Sequence, residues 1–451
     1  MTDRNYREWA LLLALVAFPL SAHAHPAMVR SVPARDATLT VAPSAIRLTF
    51  SEPVEAALTS LTVQGPDGSA VVLGKMSHPA DSAQVIVAPI GAPLPNGMYT
   101  VKWRAAGKDG HGTRGQFSFT VAVVAAVRPA GTAEAGEVSP FDASSPLYAG
   151  VRFTRYVGLL SLIGAAAFAL AVLPRVRSSE HFDAAVFRRG ASARALTLAR
   201  WSAAILLASS ALRLIAQDGS VSDLASLRES AMYRTVVFQT NWGHAWLLEV
   251  GATLLALWGL SRTRPSLAWG TAAFAAPLLA IGAALSGHAA AVQGRPILAL
   301  TTDALHVLAA SGWVGSLVTL FFAGIPAALA LGGEAAETAV QAVVESFSPT
   351  ALAWAGLLAL SGTLTAWLHL GAFSALWAST FGRTLLVKLS LLGCVAGVGA
   401  YNWRRVRPRL GSAGGAARLR RSATFELAFA AAVLAVTAVL VATPTPMDAA
   451  P

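Results

Sequence analysis

Ser21-Ala22-His23-Ala24-His25-Pro26 is the stretch in which residue type and position most suggest chemistry. Arg4 and Arg7 precede an apolar run from Ala10 to Leu20, and Ala22-x-Ala24 is the small-residue pair of a secretory cleavage site. Removal of a signal peptide, residues 1–24, makes His25 the first residue of the mature chain. Its imidazole and free α-amine then close a chelate ring on a borderline metal such as copper. A histidine after a cleavage site can equally be an accident. Asp109-Gly110-His111-Gly112 is the second candidate. Residues i and i+2 of extended backbone project to one side, so Asp109 and His111 can converge on one ion. With His25 they offer an amine nitrogen, two imidazoles and a carboxylate, and nitrogen and oxygen donors in a tetragonal set favour Cu(II). Alone, Asp-Gly-His reads first as a solvated hairpin tip, because Asp-Gly is good turn chemistry.

Four further histidines, His244, His288, His306 and His369, lie in or beside long apolar runs, with Asp303 one turn before His306 on the same helix face. Ionisable residues inside a membrane span are costly and functional by default, although near a helix end they reach interfacial water cheaply. All four map to one side of the bilayer, which makes them candidates for accepting a metal there. Cys394 is the only cysteine. Thiolate clusters and an intramolecular disulfide are therefore excluded, and ligands must come from His, Asp, Glu, Met or the amino terminus.

Two kinds of element must position these groups. The 451 residues are 55% hydrophobic and 13% charged, against about 25% charged in soluble domains. The long apolar runs begin only near residue 150. Before them, residues 25–123 alternate with period two at Ile46–Phe50, around Leu61–Val63, at Val71–Leu73, Val85–Val87, Tyr99–Trp103 and Phe117–Val121, with Gly65-Pro66-Asp67-Gly68 as a turn. This predicts a β-sandwich of about seven short strands. Residues 124–146, with Pro129, Gly131, Gly136 and Pro140, read as a linker. Spans are expected near 150–173, 198–216, 242–260, 267–286, 301–324, 349–370, 384–403 and 423–443, within a membrane domain of residues 147–443 and before a tail at 444–451. Segment 220–240 is expected at the interface.

The net charge of +11 is concentrated in Arg175–Arg200, at Arg262 and Arg264, and in Arg404–Arg421. Basic loops alternating with poorly charged ones orient a protein in a bilayer, so the charge does not point to nucleic acid. With the β domain exported, both the N-terminal domain and the C-terminus fall in the periplasm of a bacterial inner membrane. Gly-x-x-x-x-Gly-Lys-Ser/Thr is absent, which argues against nucleotide-driven pumping.

His25-Pro26, Ser51-Glu52-Pro53-Val54, and Lys108-Asp109-Gly110-His111-Gly112 ahead of Gly115-Gln116-Phe117-Ser118-Phe119 together resemble the CopC family of periplasmic copper-resistance proteins. The resemblance covers nearly all of 25–123. It implies a copper-binding sandwich with Cu(II) ligands at His25, Asp109 and His111, and Glu52 as an acid beside the site. Some members carry a methionine-rich loop for Cu(I). Here that region offers only Met76 and His78, and Met76 and Met98 are expected to pack. Ser286-Gly287-His288, Asp303-x-x-His306 with Trp313-x-Gly315, Phe347-Ser348 and Gly382-Arg383-x-Leu385-Leu386-x-Lys388 resemble the CopD family of membrane partners over roughly 147–443. The whole resembles a natural CopC–CopD fusion, an all-β sandwich followed by an all-α bundle of about eight helices. Its implied work is copper handling without catalysis, with copper ions, the bilayer and periplasmic copper chaperones as partners. An oxidative copper enzyme is the alternative by likeness of site, although Asp109 would occupy the position oxygen needs. An anchored sensor or chaperone without transport is a third reading.

Overall fold

The computed structural model describes residues 28–51, 53–79, 82–107, 112–122, 146–221, 237–238, 240–287, 296–370, 372–411 and 414–443. His25, Glu52, Asp109, His111 and His288 lie outside these residues, as do the proposed signal peptide, almost all of the linker and most of segment 220–240. The chain divides into two compact units, one containing the β domain and the other most of the helices.

The β unit is a seven-stranded sandwich. One sheet pairs β1 (Met28–Val32), β3 (Ala45–Phe50) and β5 (Val85–Pro89), with β3 central. The other is ordered β2 (Thr38–Leu39), β7 (Gly112–Val121), β6 (Gly97–Ala106) and β4 (Ser60–Gln64). Every pairing is antiparallel except β2 with β7. The alternation read from the sequence is the burial pattern. Ile46, Leu48 and Phe50 face inward from one sheet, and Tyr99, Val101, Trp103, Phe117 and Phe119 from the other. Phe50 meets Trp103 edge-on at 5.3 Å and Tyr99 stacks on Phe119 at 5.4 Å. The buried Tyr99 hydroxyl donates to the Pro95 carbonyl at 2.7 Å, which satisfies its polar end.

Three details differ from the sequence expectation. Residues Val71–Leu73 form only isolated bridges, Gln64 to Ala70 and Leu73 to Ile90, rather than a strand. Strands β1 and β2 were not legible, because an edge strand such as Met28–Val32 carries no clean alternation. Met76 packs against the core as expected, but Met98 is 58% exposed. At the Gly65–Gly68 turn, Gly68 takes φ +79°. There the Ser69 hydroxyl and backbone N–H donate to Asp67 Oδ1, and these bonds hold its carboxyl below the usual range.

Among the described residues, eight helices are long and apolar enough to cross a membrane. They are α1 (Pro146–Arg175), α2 (Ala184–Ile215), α3 (Asn241–Leu260), α4 (Pro265–Leu285), α5 (Ile297–Leu329), α6 (Gly333–Leu370), α7 (Thr380–Arg409) and α8 (Gly415–Leu440). Helix α6 begins sixteen residues before the expected span (349 − 333) and absorbs Glu334, Glu337 and Glu345. Its 38 residues extend about 57 Å at 1.5 Å per residue, well beyond a hydrocarbon core of about 30 Å. Glutamate and alanine are good helix formers, so the helix continues past the apolar stretch that signalled it. Gly332 and Gly333, at φ +74° and +53°, make the break from α5. Small residues set the packing. A Cβ on Gly315 of α5 would collide with the Leu160 carbonyl of α1, so these backbones touch, the close approach that small residues permit between spans.

Gly115 lies opposite Trp103 in the β6–β7 register, and a Cβ there would stand 2.7 Å from the indole Cζ2. Gly115→Ala is expected to destabilise the sandwich by about 1–3 kcal/mol through overpacking. A lowered urea midpoint of fragment 25–123, followed by tryptophan fluorescence, is the check.

Candidate functional site

Position along each span determines which charged groups can meet. Consecutive spans run in alternate directions, so the start of α1, the end of α2, the start of α3, the end of α4, the start of α5, the end of α6 and the start of α7 share one end of the bundle. The arginine-rich connections after α1, α3 and α7 lie at the other. Arg155, Arg213, Glu249, Ser286, Asp303, His306, His369 and Lys388 all fall in the arginine-poor half of their spans.

Glu249 is the centre of the first group. It has no solvent exposure, while Arg155 and Arg213 are 4% exposed. Arg155 Nε donates to Glu249 Oε1 at 3.1 Å and to Oε2 at 2.9 Å, and its Nη2 also donates to Oε2. Arg213 Nη1 donates to Oε1 at 3.2 Å and the Ser210 hydroxyl donates to the same oxygen at 2.9 Å. Arg155 Nη2 further reaches the Ser286 hydroxyl at 3.3 Å. One carboxylate thus joins α1, α2 and α3, and Arg155 extends the network to the end of α4. Sequence reasoning missed all three charged residues. For Arg155 and Glu249 the available signal was a charge nine and eight residues into an apolar helix, which marks an intramembrane functional or structural site.

Asp303 is the centre of the second group. His369, Lys388 and Arg155 of the first group lie within electrostatic reach of its carboxyl. His369 is buried, and its Nδ1 lies 2.8 Å from the Thr365 carbonyl. That contact assigns the proton to Nδ1 and leaves Nε2 as the acceptor nitrogen. A Cβ on Gly287 would stand 3.9 Å from Asp303 Oδ2, so the Ser286-Gly287 end of α4 adjoins Asp303 on α5. His306 engages other partners. Its Nδ1 lies 3.3 Å from the Ser361 hydroxyl of α6, its ring covers Gly362, and Lys388 is its charge neighbour. His244 is exposed at the start of α3, with Nε2 3.1 Å from the Phe238 carbonyl.

The structure therefore places His369 and Lys388 within electrostatic reach of Asp303, and Lys388 within that of His306, while His244 contacts the Phe238 carbonyl ahead of α3. Among the described residues, no three His, Cys, Asp or Glu side chains converge closely enough to hold a metal ion. The exported-domain residues His25, Glu52, Asp109 and His111, and His288 of the bundle, fall outside the described residues. Ala106 of β6 pairs with Gly112 of β7, and Asp109 and His111 lie in the chain between these two residues.

Comparison with known proteins matches three consecutive families. A CopC domain matches residues 28–122, the N-terminal domain of copper resistance protein D-like proteins matches 142–299, and copper resistance protein D matches 341–440. The chain is similar to the copper transport protein CutJ of Bacillus subtilis (strain 168), at 26% identity over 99% of this chain and 80% of that protein. It is 31% identical to copper resistance protein D of Pseudomonas syringae pv. tomato, over 63% of this chain and 90% of the relative. It is 39% identical to copper resistance protein C of Escherichia coli, over 24% of this chain and 86% of the relative.

Replacing Glu249 by Gln removes the charge that two buried guanidiniums require. A broken buried ion pair costs about 3–5 kcal/mol, so Glu249→Gln is expected to lower the melting temperature of the purified protein far more than Ser210→Ala, which removes one hydrogen bond worth about 1 kcal/mol. Equal effects in a thermal melt would show that the ion pair carries no weight.

Proposed function

The chain belongs to the copper resistance protein C and D family, with both proteins' domains in one polypeptide, and from that premise we propose that it captures copper outside the inner membrane and passes it inward. The observation that carries this reading is similarity along 99% of the chain to a protein described as a copper transport protein.

In this reading the mature chain begins at His25, and His25, Asp109 and His111 bind Cu(II), with Glu52 supporting the site. The amine, two imidazoles and carboxylate form a donor set suited to Cu(II). Copper leaves this site for the bundle, where His288, Asp303 and His306 accept it, assisted by His369 and His244. What supports acceptance at Asp303 is its place at the arginine-poor end and its closeness to Gly287, which precedes His288 in the chain. With arginine-rich loops on the cytoplasmic side, that end is periplasmic, and both termini lie outside. No catalytic step is required of any residue. The protein's own cations have a defined part. Lys388 and Arg155 offer Asp303 positive charge before copper arrives, and arriving copper competes with them for the carboxylate.

The capture site is tested on fragment 25–123. His111→Ala is expected to abolish tight Cu(II) binding while leaving the fragment folded, and Asp109→Asn to weaken binding less. Unchanged nitrogen coordination by electron paramagnetic resonance in His111→Ala would remove the assignment. Affinity should also fall as pH drops, because the α-amine, at about 7.7–8.0 unperturbed, and the imidazoles, at about 6.5, must lose protons to bind.

The acceptance site is tested by copper uptake normalised to inserted protein. His288→Ala and His306→Ala are each expected to reduce it, and Asp303→Asn to give an intermediate loss, with Cu(II) binding by the exported domain intact. Full normalised uptake in the His288→Ala/His306→Ala double variant would leave these residues as interfacial structure.

A further inference from the structure

The arginine-rich half of the bundle contains a second buried acid that the copper reading does not use. Glu426 lies on α8, five residues after Arg421, about 8 Å further along the helix at 1.5 Å per residue. It is 6% exposed. Its Oε2 accepts from Asn402 Nδ2 of α7 at 2.9 Å, and Asn402 Oδ1 in turn accepts from the Ser422 hydroxyl. Its Oε1 is turned to the α7 backbone at Gly399, where a Cβ would stand 3.4 Å away. Ser422, Asn402 and Glu426 thus form a hydrogen-bonded chain between α7 and α8.

The contrast with Glu249 is in the counter-charge. Glu249 has two guanidiniums, whereas among the described residues no lysine, arginine or histidine pairs with Glu426. Of the charged groups on neighbouring elements, Lys388 lies on α7, fourteen residues (402 − 388) before Asn402, or about 21 Å along the helix. Arg404 and Arg405 follow Asn402 in the closing turn of α7. Glu337 of α6 accepts from the Ala416 N–H at 3.0 Å, about 15 Å before Glu426 along α8. Arg418, Arg420 and Arg421 share the helix with Glu426. None of them bonds to it.

A carboxylate held in an apolar interior with one amide donor and no cation is costly to keep charged, and a bound proton removes that cost. We propose that Glu426 is a proton-binding site in the arginine-rich half of the bundle, formed with Asn402 and Ser422. The Asn402 Nδ2–H donates to Oε2 in either state of the acid. Uptake forms an O–H bond at Oε1 and release breaks it, with no other group changing charge. The bland alternative is that the Ser422–Asn402–Glu426 chain is only interhelical glue, which spans commonly use.

The test is infrared difference spectroscopy of the full-length protein in lipid nanodiscs through a pH titration. The readout needs no copper, so it succeeds or fails independently of the uptake reading. A protonated-carboxyl stretch that grows and disappears with pH is expected in the native protein and is expected to be lost in Glu426→Gln, which keeps an acceptor for Asn402. Asn402→Leu is expected to shift both the frequency and the midpoint of that band. Spectra of Glu426→Gln that superimpose on the native ones throughout would overturn the proposal. If Glu426→Gln does not insert, a band that neither Asn402→Leu nor Glu426→Asp moves would overturn it equally.

Discussion

The helical unit depends on one carboxylate that water does not reach. Glu249 has no exposure and is bonded by Arg155 from α1, and by Arg213 and Ser210 from α2. Each of these charges would be prohibitively expensive alone in an apolar interior, so each fixes the position of the others. The three helices can therefore meet in only one register at this end. Small side chains make the approach possible: Ala195, Ala199 and Ala203 of α2, spaced one turn apart, are completely buried. Arg155 extends the constraint to Ser286, and through its charge to Asp303. The segment that precedes His288 is thus tied to the same network.

That arrangement gives the copper reading a physical content beyond family membership. In the proposed account, an arriving cation competes for Asp303 with the positive charges of Lys388 and Arg155. The two halves of the bundle then differ in kind. Among the described residues, one holds the Arg155–Glu249–Arg213 ion pairs, and the other holds Glu426, whose carboxylate accepts from the Asn402 amide.

Much of the fold could be read from periodicity, because the alternation at Ile46–Phe50 and Tyr99–Trp103 is the burial pattern of the sandwich. Strands β1 and β2 could not, since a short edge strand is determined by what pairs with it rather than by its own residues. All eight spans were visible as apolar runs, but their lengths were not. Helix α6 continues through Glu334–Glu345 because helix formation does not stop where hydrophobicity does. The residues proposed to bind copper in the exported domain, His25, Asp109 and His111, were named from residue type, spacing and family resemblance, and they lie outside the described residues. The bundle's ion pairs were not legible, because Arg155 and Glu249 are 94 residues apart. Only the packing of α1 against α3 reveals that they are partners.

The central claim is that this bundle moves copper and does not merely anchor a copper-binding domain. Purified full-length protein reconstituted into liposomes loaded with a copper-responsive chelator tests it directly. With copper added outside, the account expects a time-dependent internal signal that requires the eight-span region and is not produced by fragment 25–123 added to protein-free liposomes. An internal signal no greater with the full chain than with the fragment alone would contradict it.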